Sequence, residues 1–228
     1  MFFWDPTFFL LIPAMILAFY AQSKVKKTFA KYSRTGTASG MTGAEAARRI
    51  LQEEALSDIP VKRVGGNLTD HYDPKKRELF LSDSVFSSNS VSAVGVAAHE
   101  AGHALQHKEG YAPLRYRNVF VPVASFGSGA AFPLFFIGFL FSQTWGWLMD
   151  VGILFFIFAV VFHLVTLPVE LDASARAVAI LEGRGFLQGQ EVQSARKVLN
   201  AAAWTYVAAA TMAVTQLIRM LILRSSRD

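Results

Sequence analysis

The sequence contains no cysteine. Disulfide bonds and thiol catalysis are therefore excluded, and any zinc ion would have to be held by nitrogen and oxygen ligands. Histidine is also scarce: of five in the chain, three fall within nine residues, at His99, His103 and His107. A cluster of a rare residue type that can bind metal makes this segment the first candidate for a functional site.

Charge is missing from two long stretches of the chain. No charged residue lies between Arg117 and Asp150, and none lies between Asp150 and Glu170. Each stretch is long enough to cross the roughly 30 Å hydrocarbon core of a bilayer as a helix. Because 53% of the residues are hydrophobic and they are gathered in long blocks, the pattern indicates an integral membrane protein.

These stretches predict a helical hairpin with two membrane helices. The helices span approximately Val119 to Phe141 and Val151 to Leu167, and the connection contains Trp145 and Trp147, which favour the membrane interface. Small residues in the first helix would allow close approach to a neighbour. They are Ser125, Gly127, Gly129 and Ala131.

An apolar block near the N-terminus, Thr7 to Ala21, is followed at once by five basic residues. A secretory signal peptide carries its charges before the apolar run, so we expect a retained membrane anchor. The basic cluster, Lys24 to Arg34, should stay in the cytoplasm, which places the N-terminus outside and the histidine cluster inside. A last block, Ala201 to Leu223, either spans the membrane or lies against the water-facing part.

The chemistry is carried by the run His99-Glu100-Ala101-Gly102-His103. On an α-helix, residues four apart share a face, so both imidazoles can bind one ion. Glu100 lies about 100° round the helix, where its carboxylate can accept a proton from a water molecule at the metal. Asn89 or Ser90 is placed to cap such a helix. The alternative is a pair of surface histidines beside a glutamate.

His107 continues the four-residue spacing but does not fit the same ion. Residues eight apart are about 12 Å apart along a helix, whereas zinc–nitrogen bonds are about 2.1 Å long. A catalytic zinc site has three protein ligands and one open position. The third ligand must come from elsewhere, and the acidic residues, His71 and His163 all remain candidates.

The polar segment between Lys24 and Arg117 predicts a small water-facing part. Thr42 and Glu45 form a capping-box pattern, which predicts a helix from about Gly43 to Leu56. Short strands are expected at Val61 to Gly65 and Arg77 to Ser82. Within the second, Glu78 to Leu81 could bind a peptide backbone as an edge strand.

After the hairpin, Pro168 indicates a kink or a helix start, with a helix from Val169 to Leu181. Asp172 and Arg176, four residues apart, have the spacing of an ordinary surface ion pair.

Several blocks in order resemble the neutral zinc metallopeptidases of bacterial membranes, often called YugP-like. The blocks are Leu68 to Pro74, Val96 to Gln106, Leu167 to Ser174 and Ala201 to Ala209. The family is similar, at a distance, to membrane gluzincin proteases, whose third zinc ligand is a glutamate in a Glu-x-x-Ala-Asp pattern. The resemblance implies that Glu170 is the third ligand. Ser174 stands where the wider group has aspartate, and it could hydrogen-bond a histidine ligand as a neutral partner.

The expected function is therefore that of a membrane-embedded zinc endopeptidase. Glu100 would be the general base, and His99, His103 and Glu170 would bind Zn²⁺. The active site would face the cytoplasm in a multi-pass protein of the inner (plasma) membrane, and the substrate would be a membrane-associated protein or peptide. Alternatives are a non-catalytic zinc-binding membrane scaffold and a structural membrane protein with incidental histidines. A peptidase assay with and without a chelator would discriminate them.

The net charge of +5 could suggest nucleic acid, but the basic residues cluster at predicted membrane entries, so anionic lipid is the expected partner and nucleic acid is not. The expected fold is mainly α, with three to four transmembrane helices and a small α+β, zincin-like cytoplasmic catalytic part. The predicted organisation is an anchor (1–23), a cytoplasmic part with the metal helix (24–117), a membrane hairpin (118–167), a cytoplasmic helix with the third ligand (168–200) and a fourth membrane helix (201–228).

Overall fold

The computed structural model describes residues 6–227, and this part of the chain is mainly helical with one small sheet. The elements in chain order are a 3-10 turn (Pro6–Leu10), α1 (Leu11–Tyr32), α2 (Gly43–Glu53), β1 (Val61–Val64), β2 (His71–Asp73), β3 (Glu78–Ser82), α3 (Asp83–Phe86), α4 (Val91–Lys108), α5 (Ala112–Leu140), α6 (Ser142–Trp145), α7 (Trp147–Gly183) and α8 (Gln190–Ser225).

Four helices in the described range are long and apolar enough to cross a membrane: Pro6–Tyr32, α5, α7 and α8. Large apolar side chains on them are exposed, among them Phe19 at 70% and Phe126 at 71%. Water would penalise such surface, whereas hydrocarbon would not. The prediction of three to four membrane helices agrees with these four candidates.

The chain divides into two compact units. One, the helical unit, comprises the described residues up to Ala21, then Ala112–Pro168, then Thr205 onward. Within it, α5 and α7 approach at glycines: a Cβ added at Gly127 would lie 2.9 Å from the Phe155 carbonyl oxygen. Ala131 is fully buried, as the small-residue pattern predicts. Ser125 and Gly129 are exposed and take no part in this contact, which corrects half of that prediction.

Helices α7 and α8 are longer than the sequence predicts. Helix α7 runs through Pro168, so of the two alternatives predicted there, a kink or a helix start, the helix start is wrong. A proline inside a helix removes one donor and leaves the carbonyl four residues earlier without its helical partner. The block Ala201 to Leu223 lies inside α8, a single 36-residue helix. Near its end, Arg224 Nε donates to an Asp150 carboxylate oxygen at 2.8 Å, so the end of α8 lies beside the start of α7.

The other unit, the α+β unit, comprises Gln22–Tyr111 and Val169–Trp204. Its sheet has the order β1-β3-β2, with β1 parallel and β2 antiparallel to β3. The sequence predicts β1 and β3 but not β2, which is three residues long. Since β3 pairs on both sides, the idea that Glu78 to Leu81 offers a free edge is wrong.

The capping box predicted for α2 is present: the Thr42 side chain accepts from Glu45 N, and the Glu45 side chain accepts from Thr42 N. The helix ends at Glu53, three residues before Leu56, and Ala55 has a φ of 53°. Helix α4 packs against α2 in the core of this unit and is buried along most of its length. Its buried residues are mostly small, including Ala97, Ala98 and Ala101, so the backbones of neighbouring elements can come close to it.

Candidate metal centre

The two histidines of the motif lie on one face of α4, as their spacing predicts. The helix begins after Ser90, whose side chain accepts a hydrogen bond from Ala93 N, so one of the two predicted caps is correct. The His99 and His103 rings meet edge to face with centroids 4.8 Å apart. Both rings are largely buried, with side-chain exposures of 13% and 8%.

Glu170 of α7 completes the group. Its Oε2 atom lies 3.3 Å from His99 Nε2 and 3.6 Å from His103 Nε2. The Glu170 residue is 2% exposed. One carboxylate oxygen therefore faces the same nitrogen of both rings.

These separations fit a tetrahedral zinc ion. With bonds of about 2.1 Å, ligand atoms at tetrahedral positions are about 3.4 Å apart. The two measured nitrogen–oxygen distances lie on either side of this value, and one ligand atom from each of the three residues can be chosen so that all lie within 4.8 Å of one another. Two imidazoles and one carboxylate are a donor set that zinc accepts, and they leave a fourth position for water or substrate.

Gly102 allows α4 and α7 to approach closely beside this group. A Cβ added at Gly102 would lie 2.8 Å from the carbonyl oxygen of Ala173. Backbone cannot swing aside as a flexible side chain can, so a larger residue would push the helices apart. The glycine in the motif therefore contributes to the placement of Glu170 near the histidines.

Each histidine has a second partner through its other ring nitrogen. Ser174 Oγ lies 3.1 Å from His99 Nδ1, as expected for the serine that replaces the wider group's aspartate. His103 Nδ1 lies 2.9 Å from Gln106 Oε1. Such outer partners orient the rings of metal-binding histidines.

Asp172 is more than the ordinary surface pair predicted from its spacing. It binds Arg176 at 2.6 Å as expected, but it also accepts from the buried Gln106 amide at 2.8 Å. Gln106 stands three residues after His103, a spacing that brings side chains together on a helix, so its role had a local signal. Its partners on α7 are more than sixty residues away in the sequence, so no local pattern indicated those contacts.

Glu100 is buried beside the two histidines, at 7% exposure. Within residues 6–227 no hydrogen-bond donor reaches its carboxylate. Burial raises the pKa of Glu100 above its ordinary value, and the nearby charges of His99 and His103 partly offset this rise. The carboxylate is thus free of protein donors, and burial shifts its pKa in the direction of a stronger base.

The other histidines have separate environments. The Tyr72 hydroxyl pairs with His107 Nδ1 at 2.9 Å, and His71 stacks on Phe80 with ring centroids 4.8 Å apart. His163 belongs to the helical unit. Among the described residues, the group of three or more ligand-type side chains close enough to hold a metal ion contains none of these histidines.

Comparison with known proteins agrees with this donor set. A family described as "Putative neutral zinc metallopeptidase" matches residues 7–225. The chain is 49% identical to the "Putative membrane protease YugP" of Bacillus subtilis (strain 168), over 96% of this chain and 97% of that protein. No solved structure matches significantly. The buried triad, the four apolar helices and the nearly full-length match agree, and the chain belongs to this family of zinc metallopeptidases.

Proposed function

We propose that this protein is a membrane-embedded zinc metalloendopeptidase that hydrolyses peptide bonds at the cytoplasmic membrane surface. Its substrates are proteins or peptides associated with the membrane, and the α+β unit is the zincin-like catalytic part. The observation that carries the proposal is the position of one Glu170 oxygen, 3.3 Å and 3.6 Å from the two motif imidazoles.

His99, His103 and Glu170 are the proposed ligands. All three belong to the α+β unit, although Glu170 is distant from the histidines in sequence. A zinc ion bound by them supplies Lewis-acid chemistry, which polarises the scissile carbonyl and acidifies water. The cofactor follows from the family and from the donor set together.

Glu100 is the proposed catalytic residue. Its carboxylate accepts a proton from water as the water oxygen attacks the carbonyl carbon. It then donates that proton to the amine nitrogen as the carbon–nitrogen bond breaks. The raised pKa of Glu100 supports the first step, because a carboxylate with a higher pKa is a stronger base. The second step remains favourable, because a protonated carboxyl is far more acidic than the amine that it protonates.

A non-catalytic zinc scaffold would have no use for this arrangement. A site that only stores zinc needs ligands and their orienting partners, but it does not need a buried carboxylate without protein donors. Burial of such a group costs free energy. Glu100 is therefore the residue that separates the peptidase from the scaffold.

The test is a peptidase assay on detergent-purified protein, with zinc content measured in parallel. Removal of zinc by a chelator should abolish hydrolysis, and added zinc should restore it. Glu100→Gln is nearly isosteric but cannot accept the proton, so it should keep wild-type zinc content and lose about 10²–10⁴-fold in turnover. Wild-type turnover in Glu100→Gln would refute the catalytic role. Zinc-loaded wild type without activity on a broad peptide library would favour the scaffold.

The cytoplasmic orientation rests on the basic cluster Lys24 to Arg34 and on the hairpin. Lys and Arg next to membrane spans are retained on the cytoplasmic side, and they attract the anionic lipids of that leaflet. Ser87 precedes α4, and Thr144 lies in the connection between α5 and α7; both are exposed.

Single cysteines at these two positions test the orientation, because the chain has no other cysteine. In intact cells, Ser87→Cys should resist a membrane-impermeant thiol reagent and Thr144→Cys should react. In permeabilised cells both should react, which controls for accessibility. The reverse pattern in intact cells would move the site to the outer face and leave the peptidase chemistry standing.

A further inference from the structure

Gln106 is a polar side chain in the interior of the α+β unit, with 0% exposure. An amide buried there needs partners for both its oxygen and its nitrogen. Gln106 Oε1 lies 2.9 Å from His103 Nδ1. Gln106 Nε2 donates to the Val169 carbonyl oxygen at 2.8 Å and to an Asp172 carboxylate oxygen at 2.8 Å.

These partners determine which way the amide points. The Val169 carbonyl can only accept hydrogen bonds, and so can the Asp172 carboxylate, so the amide nitrogen must face them. The amide oxygen then faces His103 and can only accept. His103 must therefore carry its proton on Nδ1, and its Nε2 lone pair is left for the metal. That Nε2 is the atom 3.6 Å from Glu170.

Asp172 also binds a cation on its own helix. Arg176 Nε donates to it at 2.6 Å, and the same guanidinium binds Glu109 at 2.6 Å. Glu109 caps the end of α4, while Asp172 and Arg176 are on α7. The chain of contacts from His103 through Gln106 thus ends in a charged cluster that joins both helices.

His99 lacks an equivalent constraint. Its partner, Ser174 Oγ at 3.1 Å, is a hydroxyl that can either donate or accept. The contact at His99 is compatible with either ring tautomer, whereas the contact at His103 allows one.

We infer that Gln106 is a positioning residue of the metal centre: it fixes the tautomer and ring orientation of His103 and ties the helix of the histidines to the helix of Glu170. The role rests on the proposed zinc site. If Gln106 has this role, zinc binding requires the hydrogen bonds of its amide and not merely the volume of its side chain.

Two replacements separate hydrogen bonding from packing. Gln106→Met keeps the approximate length but can neither accept from His103 nor donate to α7. Gln106→Glu combined with Asp172→Asn keeps an acceptor for His103 and lets residue 172 donate in return, so that only the hydrogen bond to the Val169 carbonyl is lost. Asp172→Asn alone, which still accepts from Gln106, is the matched control.

Zinc affinity, measured by competition with a chromophoric chelator, should fall about 10–100-fold in Gln106→Met, the range typical of lost outer-shell partners. The control should stay close to wild type, and the double variant should bind zinc more tightly than Gln106→Met. If Gln106 only fills space, the order reverses, because the core would tolerate the apolar methionine better than an added carboxylate.

Proton NMR spectra of cobalt-loaded protein give a second readout that does not depend on comparing the zinc affinities of variants. The wild-type spectrum should contain two exchangeable imidazole N–H signals shifted by the metal, and the N–H of His103 should exchange slowly with solvent. Gln106→Met should speed exchange of that signal and leave the other, which Ser174→Ala should alter. A wild-type spectrum without a slow His103 Nδ1–H would overturn the inference even if no Gln106 variant folds.

The outcomes for the inference and for the proposed function are distinguishable. Wild-type protein that binds neither zinc nor cobalt contradicts the metal site itself. Wild-type protein that binds zinc, together with a Gln106→Met variant of equal affinity and unchanged exchange, contradicts only the role of Gln106.

Discussion

The two units of this protein differ in which side chains they expose and which they bury. The helical unit exposes large apolar groups such as Phe126 and Phe136, at 71% and 58%. The α+β unit buries polar groups such as Ser82, Ser92 and Gln106, each at 0% exposure. The first distribution suits a hydrocarbon environment. The second is stable only where each buried polar group has a partner.

The buried polar groups of the α+β unit have such partners. Asp70 accepts from Ser82 N at 2.7 Å and from Ser82 Oγ at 2.9 Å, and Gln106 uses both ends of its amide. Glu100 differs from them: no protein group among the described residues donates to its carboxylate, whose oxygens keep some contact with solvent although the residue is 7% exposed. The difference falls at the proposed catalytic residue, where a reacting water or substrate would supply the missing donor.

The comparison predicts that the surface of the α+β unit tolerates an added charge and that the exposed apolar surface of the helical unit does not. Phe126 on α5 and Gln52 on α2 are both exposed. Phe126→Lys should cost about 3 kcal/mol of membrane insertion free energy, because a lysine near the centre of a membrane helix is penalised by this amount. Gln52→Lys should cost almost nothing. The measurement is the amount of folded protein in the membrane fraction for each variant.

Normal accumulation of Phe126→Lys would contradict the assignment of this α5 face to lipid. A defect in Gln52→Lys equal to that of Phe126→Lys would indicate that both units respond alike to added charge, which the comparison excludes.

A smaller effect is expected from two glycines of α4. A Cβ added at Gly102 would lie 2.8 Å from Ala173 O, whereas one added at Gly95 would lie 3.5 Å from the Ala195 Cβ, an ordinary contact. Gly102→Ala should lower stability by about 1–3 kcal/mol through overpacking and should weaken zinc binding by displacing α7. Gly95→Ala should instead stabilise α4 by up to about 1 kcal/mol through helix propensity. Thermal unfolding in detergent, with and without zinc, measures both. Equal behaviour of the two variants would mean that the helix contact at Gly102 does not determine the site.

The sequence predicted the features that depend on local spacing. The motif helix, the Thr42 capping box and the long apolar helices follow from residues near one another in the chain, and each is present. The contact between Ser174 and His99 was anticipated from a helical spacing combined with the family resemblance.

The missed features depend on partners distant in sequence. Strand β2 is three residues in a turn-rich segment, and it exists because β3 pairs with it. The helix through Pro168 persists despite a lost donor, since its neighbours on both sides are strongly helical and buried positions such as Val169 hold it. Gln106 contacts α7 across more than sixty residues, so local periodicity could not identify that contact.

The central claim is that one zinc ion is held by His99, His103 and Glu170, and the most direct test is the zinc affinity of Glu170→Ala against that of His107→Ala. Glu170→Ala removes the carboxylate that faces both imidazoles, so zinc affinity should fall by more than the roughly 10–100-fold typical of outer-shell changes. His107 pairs with Tyr72 outside the group, so His107→Ala should bind zinc as wild type does. Full zinc content in Glu170→Ala, with loss in His107→Ala, would contradict the account.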